Sequence, residues 1–254
     1  MTVVGLLHPG EMGAAVGGAL VARGETVLWA SAGRSSATVE RARHAGLEDV
    51  SEVAEVCRRS AILLSVCPPH AAVESAQAAE GFAGIYVDAN AIAPQTARAI
   101  AGIHGRFVDG GIVGQPPHEP GSTRLYLSGG EAEAVAALFA ETSVDARVVS
   151  REPGAASALK AAYAGWTKGS AALLLAVGAL ARAEGVEAAL LEEWRLSLPE
   201  LEERSAAATR SAQHKGWRWV GEMHEIAQAM SAHELPTGFH EAAAEVFRRA
   251  AEEA

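Results

Sequence analysis

Apolar and polar positions alternate in short blocks along the first 150 residues. The apolar runs have the length of buried strands, and each is followed by a segment whose apolar residues recur with the period of a helix. Strands are predicted at residues 3–7, 26–30, 61–66, 84–88, 106–109, 124–128 and 146–149, and residues 110–117 are predicted to form a loop. Strands that alternate with helices at this spacing predict a Rossmann-type, doubly wound and mostly parallel α/β sheet.

The pattern changes after Pro153, where the strand signals end. Residues 155–182 lack proline and predict one long helix, whose middle, residues 171–180, is apolar on every face. We expect that middle to be buried all round by neighbouring helices or by a partner subunit, and we therefore predict a homodimer. Further helices are predicted at 190–208, 217–230 and 237–253.

This change of pattern predicts two domains. Residues 1–151 are expected to form the Rossmann-type nucleotide-binding domain. Residues 152–254 are expected to form an all-α domain for substrate binding and dimerisation. The boundary is a shift of pattern and has no composition typical of a flexible linker.

Composition narrows the class of protein. The formal net charge of −10 offers no basic stripe for phosphates, so no nucleic-acid partner is expected. The apolar run at residues 171–180 is too short to cross a bilayer and no basic leader opens the chain, so no membrane association is expected. Cys57 and Cys67 lack disulfide or zinc spacing and the histidines lack metal-ligand spacing, which indicates a cytoplasmic setting and no metal site.

The turn after the first strand has the spacing of a dinucleotide-binding fingerprint with one departure. Gly10 and Gly13 occupy the second and third glycine positions, but His8 occupies the first. The helix that follows begins with N–H groups that have no partner inside the helix, and such groups bind phosphate. An ordinary strand-to-helix turn is the alternative interpretation.

The residues after the second strand indicate which cofactor is bound. An NAD site usually places a carboxylate there to hold the ribose hydroxyls. This chain has Ser31, Arg34 and Ser35 instead, which favour the 2′-phosphate of NADP over NAD. Ser35 or Ser36 could equally be the N-cap of the next helix.

Chemistry beyond cofactor binding is predicted at the start of the long helix. Ser157, Lys160 and Tyr163 are three residues apart and so share one helix face. An ammonium and two hydroxyls can protonate a carbonyl oxygen while hydride arrives from a nicotinamide. The alternative is that Lys160 extends to solvent along an apolar surface.

The order of these motifs resembles the β-hydroxyacid dehydrogenase family, which includes 3-hydroxyisobutyrate and 6-phosphogluconate dehydrogenases. The matching features are the Gly-x-x-Gly turn with Met12, residues 88–94, residues 109–114 and the lysine on a long helix. Residues 151–154, 157–160 and 167–169 resemble a short subgroup of this NAD(P)-binding family whose helical C-terminal domain is uncharacterised.

The resemblance implies roles for individual residues. The pyrophosphate would be lined by His8, Pro9, Gly10, Glu11 and Met12. The nicotinamide would be flanked by Cys67 and Pro68. Asn90 would lie near the substrate and the nicotinamide ribose, and Lys160 would transfer the proton. The leading hypothesis is thus an NADP-dependent oxidoreductase acting on a small carbonyl or hydroxyl substrate. Lys160 is its predicted acid/base, and Tyr163, Asn90 and Ser157 are predicted to orient the reactants.

Departures from the family pattern leave two alternatives open. The family's serine-bearing substrate loop is Val113-Gly114-Gln115 here, and a missing hydroxyl favours imine reduction, although imine reductases usually lack the lysine. The asparagine expected four residues after Lys160 is Ala164. His8 in the fingerprint favours a third hypothesis, a nucleotide-binding protein without catalytic activity.

Overall fold

The computed structural model describes residues 1–252 and divides the chain into two compact units. The first unit is Met1–Lys160, and the second begins at Ala161. The division into domains predicted at residue 151, with a separate function for each, stays a prediction. In the structure, the residues between that point and Lys160 are grouped with the first unit.

The first unit contains one eight-stranded sheet with the order β3-β2-β1-β4-β5-β6-β7-β8. Its strands are β1 Val3–Leu7, β2 Thr26–Trp29, β3 Glu48–Asp49, β4 Ile62–Ser65, β5 Ile85–Asp88, β6 Phe107–Gly114, β7 Thr123–Ser128 and β8 Val144–Ser150. All neighbouring strands are parallel except β6 and β7. This confirms the predicted fold class, and the strand order reverses between β1 and β4, where ligands bind in sheets of this kind.

Helices connect these strands. They are α1 Glu11–Arg23, α2 Ser36–His44, α3 Val53–Arg59, α4 Ala72–Ala78, α5 Pro94–Ala101 and α6 Ala132–Leu138, with a short 3-10 turn, Pro69–Ala71, before α4. Alternate side chains of the central strands fill a separate core on each face of the sheet. Leu6, Leu64 and Val87 are buried in one core, and Leu63 and Tyr86 in the other. Each fully buried side chain of this size contributes about 1.5–3 kcal/mol, so the central strands are firmly held.

The predicted loop at residues 110–117 is wrong over its first half, because β6 continues to Gly114 and pairs with β7 as far as Thr123. Gly110 and Gly111 conceal this strand in the sequence, since glycine is depleted in strands. The neighbours explain both glycines. A Cβ on Gly110 would lie 3.0 Å from the Asp88 carbonyl oxygen, and one on Gly111 would lie 2.9 Å from the Ala156 carbonyl oxygen.

The helical region consists of α7 Ala155–Ala183, α8 Glu187–Ser197, α9 Leu201–Ser231 and α10 Gly238–Glu252. The long helix predicted at 155–182 is therefore confirmed. The helices predicted at 190–208 and 217–230 are wrong in their bounds, because α8 ends at Ser197 and a single 31-residue helix begins at Leu201. Pro199 explains the break, since its ring cannot continue a helix. The helix predicted at 237–253 ends within the described residues at Glu252, and Glu253 lies outside them.

The middle of α7 is not buried all round within one chain. One face packs on α9 and α10, where Ala164 and Ala172 share a core with Met223 and Phe247. Of residues 171–180, all of which the structure describes, only Ala172 is buried. Within one chain α9 and α10 leave much of the α7 surface exposed, so the predicted burial of this segment would require a partner subunit.

Within residues 1–252, α7 is the one helix long and apolar enough to cross a membrane by length and composition. Its 18-residue window has a mean hydropathy of 1.3. The central helix of a water-soluble protein satisfies the same criteria. The helix alone therefore does not indicate a membrane protein.

Candidate functional site

The turn between β1 and α1 retains the backbone of a dinucleotide-binding fingerprint although His8 replaces its first glycine. His8 has a φ of 66°, in the left-handed region that glycine adopts readily. Histidine is one of the few other residues that is enriched there. The Gly10 N–H donates to the His8 carbonyl oxygen at 2.7 Å, which closes the turn. His8 therefore substitutes for glycine in conformation.

The two remaining glycines of the turn meet different surroundings. A Cβ on Gly13 would lie 2.7 Å from the His8 carbonyl oxygen, so only glycine fits where α1 packs on the turn. A Cβ on Gly10 would have no described atom within 4 Å. No side chain of the described part of the chain caps α1 at Gly10. Open space beside an uncapped helix N-terminus suits a pyrophosphate.

Positive charge lies close to this turn. Burial, together with the smaller effect of the Arg34 charge, lowers the pKa of His8 to about 4, so the imidazole is neutral at pH 7. The Arg41 guanidinium donates to the Pro9 carbonyl oxygen at 3.3 Å. Arg41 cannot be identified from the sequence, because the position of a residue along α2 does not show which side chain reaches the turn. Two guanidinium groups are thus near the predicted phosphate site.

The segment after β2 forms a tight turn that presents Arg34. The Arg34 N–H donates to the Ser31 carbonyl oxygen at 3.0 Å, and Gly33 between them has a φ of 71°. Ser35 is the N-cap of α2, and its hydroxyl accepts from the Thr38 N–H at 3.3 Å. This is the capping role that the sequence offered as an alternative for Ser35, and its cofactor role remains a prediction.

Asp49 supports the same turn. Its carboxylate accepts from the Ser31 N–H at 3.2 Å and from the Ser51 N–H at 2.8 Å. Burial raises the pKa of Asp49, but hydrogen bonds from Ser31 and Ser51 outweigh that effect and lower it. Asp49 cannot be placed next to Ser31 from the sequence, because it belongs to β3, a two-residue strand without an apolar pattern.

Asn90 lies beyond the end of β5 and is buried, with 3% of its surface exposed. Its amide nitrogen donates to the Ser65 hydroxyl at 3.1 Å and to the Asp88 carboxylate at 2.8 Å. Its oxygen accepts from the Cys67 N–H at 2.5 Å. Asn90 therefore ties the ends of β4 and β5 together, and its predicted role toward substrate would require this network to open.

Cys67 and Pro68 follow β4 at the same edge of the sheet. Burial raises the pKa of the Cys67 thiol, and its sulfur lies 3.7 Å from the Ser75 hydroxyl. The thiol is therefore protonated at neutral pH and is not an activated nucleophile. Pro68 precedes the 3-10 turn in extended conformation. Their predicted position beside the nicotinamide is compatible with the carboxyl edge of the sheet.

Lys160 lies at the same edge. Its ammonium donates to the Ile112 carbonyl oxygen at 2.6 Å. Asp109 on β6 pairs with Asp88, the last residue of β5, so Ile112 lies three residues beyond the end of that strand. The amine thus lies beyond the carboxyl end of β5, where β1 and β4 also end.

The other two residues predicted to share the Lys160 face differ in their surroundings. Ser157 is fully buried, and its hydroxyl donates to the Asp109 carboxylate at 2.5 Å. It is therefore engaged in the interior of the first unit. Tyr163 belongs to the second unit and is 48% exposed. The structure thus gives the three residues different environments.

The second unit contains a half-buried ion pair between Lys168 and Glu222, with the Lys168 amine 5.6 Å from the centre of the Trp219 ring. Burial lowers the pKa of Lys168, and Glu222 partly offsets this effect. Lys168 is thus paired with a carboxylate within its own unit. Across residues 1–252, no group of three or more His, Cys, Asp or Glu side chains could hold a metal ion.

Comparisons with known proteins identify relatives of both parts of the chain. Residues 181–250 match a family model described as a domain of unknown function, DUF1932. An uncharacterised 28.5 kDa protein from Methanothermus fervidus is 30% identical over 163 residues. That match spans 63% of this chain and 63% of the relative, which is less than two thirds of its length.

Solved structures match along nearly the whole chain. One is a conserved protein of unknown function that is reported as structurally similar to 3-hydroxyacid dehydrogenases. It is 28% identical to this chain with a TM-score of 0.73, and the match covers 98% of this chain and 97% of the other. A 3-hydroxyisobutyrate dehydrogenase from Mycobacterium tuberculosis with L-serine has a TM-score of 0.74 at 15% identity, with coverage of 100% and 94%. A reductive aminase from Aspergillus terreus in complex with NADPH and ethyl levulinate has a TM-score of 0.63 at 21% identity, with coverage of 100% and 95%.

The fold and the β1–α1 turn are those of the Rossmann class of α/β folds. The comparisons support the predicted resemblance to the NAD(P)-binding β-hydroxyacid dehydrogenase-like family. The C-terminal region of the chain carries the DUF1932 domain, which matches the predicted short subgroup with an uncharacterised helical domain.

Proposed function

We propose that this protein is an NADP-dependent oxidoreductase that transfers hydride between the nicotinamide and a small carbonyl or hydroxyl substrate. The observation that carries the proposal is the β1–α1 turn, where His8 keeps the glycine conformation and Gly10 leaves open space at the uncapped start of α1. That arrangement fits a pyrophosphate, with Pro9, Glu11 and Met12 beside it. The similarity to 3-hydroxyacid dehydrogenase-like structures supports the same conclusion.

The nicotinamide, when bound, supplies or accepts the hydride. The residues of this chain would then control the proton. The Lys160 ammonium donates to the Ile112 carbonyl oxygen beyond the end of β5, and held there it can give a proton to a substrate carbonyl oxygen in reduction. In oxidation the neutral amine would accept the proton of a substrate hydroxyl. Tyr163 and Asn90 are the proposed orienting residues.

A preference for NADP over NAD is part of the proposal. Arg34 influences the titration of both His8 and Cys67, so its charge is directed toward the turn. Ser31 and Ser35 adjoin it in the same segment and can add hydroxyl contacts. The reductive aminase of the same fold was solved with NADPH, which supports this choice.

Consumption of NADPH with a panel of ketones, aldehydes and 2-keto acids tests the proposed reaction, followed by the Lys160→Ala variant on any active substrate. We expect that variant to lose activity by a factor of about 100 or more, the usual contribution of general acid catalysis, while it still binds NADPH. Unchanged turnover in Lys160→Ala would contradict the role of the lysine. NADPH binding without turnover on any substrate would favour the non-catalytic nucleotide-binding alternative.

Imine reduction is the second candidate function. The absence of a serine in Val113-Gly114-Gln115 and the reductive aminase among structures of the same fold favour it. The same assay with a ketone and an amine together separates the two reactions. Turnover that requires the amine would identify imine reduction, and turnover with the carbonyl compound alone would identify the dehydrogenase reaction.

We also infer that the protein assembles as a homodimer in the cytoplasm. Trp166, Leu173 and Leu180 on α7 are 69%, 52% and 62% exposed and lie seven residues apart, so they form one apolar stripe along the helix. Contact between helices at this spacing is typical of a helix–helix seam. Cys57 and Cys67 are both free thiols, which suits a reducing compartment.

A further inference from the structure

Asp109 has no role in the proposed function, yet it is fully buried and its carboxylate accepts four hydrogen bonds from described residues. One oxygen accepts from the Ser128 hydroxyl at 2.9 Å, the Gly154 N–H at 3.0 Å and the Ser157 N–H at 2.9 Å. The other oxygen accepts from the Ser157 hydroxyl at 2.5 Å. A buried carboxylate needs such compensation, because an unpaired buried charge is very costly.

These contacts cap α7 from a neighbouring strand. The first N–H groups of a helix have no partner within it. Asp109 satisfies those of Gly154 and Ser157, and the Ser128 hydroxyl accepts from the Ala156 N–H at 3.0 Å. A negative charge at a helix N-terminus is also favourable toward the helix dipole. The start of α7 is therefore fixed to β6 and to its partner strand β7.

Two other residues of the same strand lie against Lys160 itself. A Cβ on Gly111 would lie 3.0 Å from the Lys160 Cβ, so glycine permits the close approach of α7 to β6. Ile112 then supplies the carbonyl oxygen on which the Lys160 ammonium rests. Asp109, Gly111 and Ile112 thus hold the first two turns of α7 from one strand.

We propose that Asp109 is a positioning residue for Lys160. By capping α7 at Ser157, one turn before the lysine, Asp109 sets the helix at the height on β6 that brings the ammonium to the Ile112 carbonyl oxygen. Gly111 allows the helix to lie that close. This inference rests on the proposed acid/base role of Lys160 for its functional meaning, but it concerns only the position of the side chain.

The chain offers a direct readout of this position, because it contains only three lysines, Lys160, Lys168 and Lys215. With selective 15N-lysine labelling, the side-chain amines give three NMR signals that Lys→Arg variants assign. In Asp109→Asn, which replaces one acceptor oxygen by a donor, we expect the Lys160 signal and its pH titration to shift. The signals of Lys168 and Lys215 should stay in place, because the change is local. Gly111→Ala should shift the same signal.

Two controls keep the test decisive. Gly130→Ala is the matched glycine control, since a Cβ there would have no described atom within 4 Å, and it should leave the Lys160 signal unchanged. If Asp109→Asn does not fold, Ser157→Ala removes only one of the four hydrogen bonds and should shift the signal less. A folded Asp109→Asn or Ser157→Ala protein whose Lys160 signal and titration match those of the wild type would overturn the inference.

The experiment uses no cofactor, so its outcome is separable from the proposed function. A shifted Lys160 signal in a protein that binds no dinucleotide would support the positioning role and count against the enzyme. An unchanged signal in a protein that binds NADPH would leave the enzyme proposal intact and defeat the positioning role.

Discussion

His8 shows how one residue can depart from a sequence motif and still preserve its geometry. Its left-handed backbone substitutes for glycine, and its side chain is neutral because burial lowers its pKa to about 4. The ordinary pKa of a histidine, about 6.5, applies in the unfolded chain. The unfolded state therefore binds more protons between pH 6.5 and 4, so stability falls as the pH decreases through that range.

We expect His8→Asn to remove this acid sensitivity, since asparagine also tolerates the left-handed conformation. A pKa shift of one unit corresponds to about 1.4 kcal/mol, and partial exposure reduces the effect to roughly 1–2 kcal/mol in all. Urea unfolding at pH 7 and pH 4.5 measures it. The loss of stability between the two pH values should be smaller in His8→Asn than in wild type, and the exposed His70→Asn control should behave as wild type. Equal losses in all three proteins would contradict the burial of His8.

Arg34 should be detectable through His8 as well. Because the Arg34 charge lowers the pKa of His8, Arg34→Ala is expected to raise it. An NMR titration of the His8 ring measures the change, and Arg43→Ala on the exposed face of α2 serves as a matched arginine control. A His8 titration identical in wild type and Arg34→Ala would show that Arg34 does not approach the turn.

At the scale of elements, the two glycines of the β1–α1 turn have different predicted roles, since Gly13 is needed for packing and Gly10 for cofactor binding. Gly13→Ala would place a Cβ 2.7 Å from the His8 carbonyl oxygen, and we expect a loss of about 1–3 kcal/mol in stability from overpacking. Gly10→Ala meets open space, so its stability should match that of wild type. If the open space receives a pyrophosphate, Gly10→Ala should weaken NADPH binding by tenfold or more, about 1.4 kcal/mol.

Thermal unfolding and calorimetric NADPH titration of the two variants check this prediction. Gly130→Ala is again the control, because its Cβ also meets open space. NADPH binding by Gly10→Ala at wild-type affinity would remove the turn from the cofactor site. Such a result would support the ordinary strand-to-helix turn that the sequence left open.

The elements also show what could be predicted from the sequence. The spacing of apolar residues and the length of each apolar segment are sufficient to predict α7 and the buried strands, because packing on one or both faces determines those patterns. The same signals do not predict β6 beyond Asp109. Gly110 and Gly111 occur there because the backbone of neighbouring residues leaves no room for a Cβ, and glycine is not a residue that favours strands. These signals also miss the start of α9 after Pro199, because Leu190 and Ala208 belong to different helices.

The candidate site divides in the same way. Gly10, Gly13 and Lys160 can be proposed from the sequence because their predicted roles depend on local spacing or on the start of one helix. Asp49 and Arg41 were missed because each acts on a segment that is distant in sequence and adjacent only in the folded sheet. Ser157 is predicted to orient the reactants because helical spacing alone does not reveal its hydrogen bond to Asp109.

At the scale of the whole molecule, the apolar stripe of Trp166, Leu173 and Leu180 should determine the oligomeric state. A charge at its centre, Leu173→Glu, is expected to convert the dimer to a monomer, because an unpaired carboxylate in an apolar interface is costly. Leu196→Glu is the control, since Leu196 is also exposed but lies on α8. Light scattering coupled to size exclusion measures the mass, and either a monomeric wild type or a dimeric Leu173→Glu would refute the proposed interface.

Calorimetric titration of the wild-type protein with NADPH and with NADH measures the proposed cofactor preference. We expect tighter binding of NADPH, and we expect Arg34→Ala to lower NADPH affinity by about ten- to a hundredfold while NADH affinity changes less, because the variant loses a charge-assisted hydrogen bond of about 1.5–3 kcal/mol. Equal affinities would contradict the NADP preference. Binding of neither dinucleotide to the folded protein would contradict the proposed function itself.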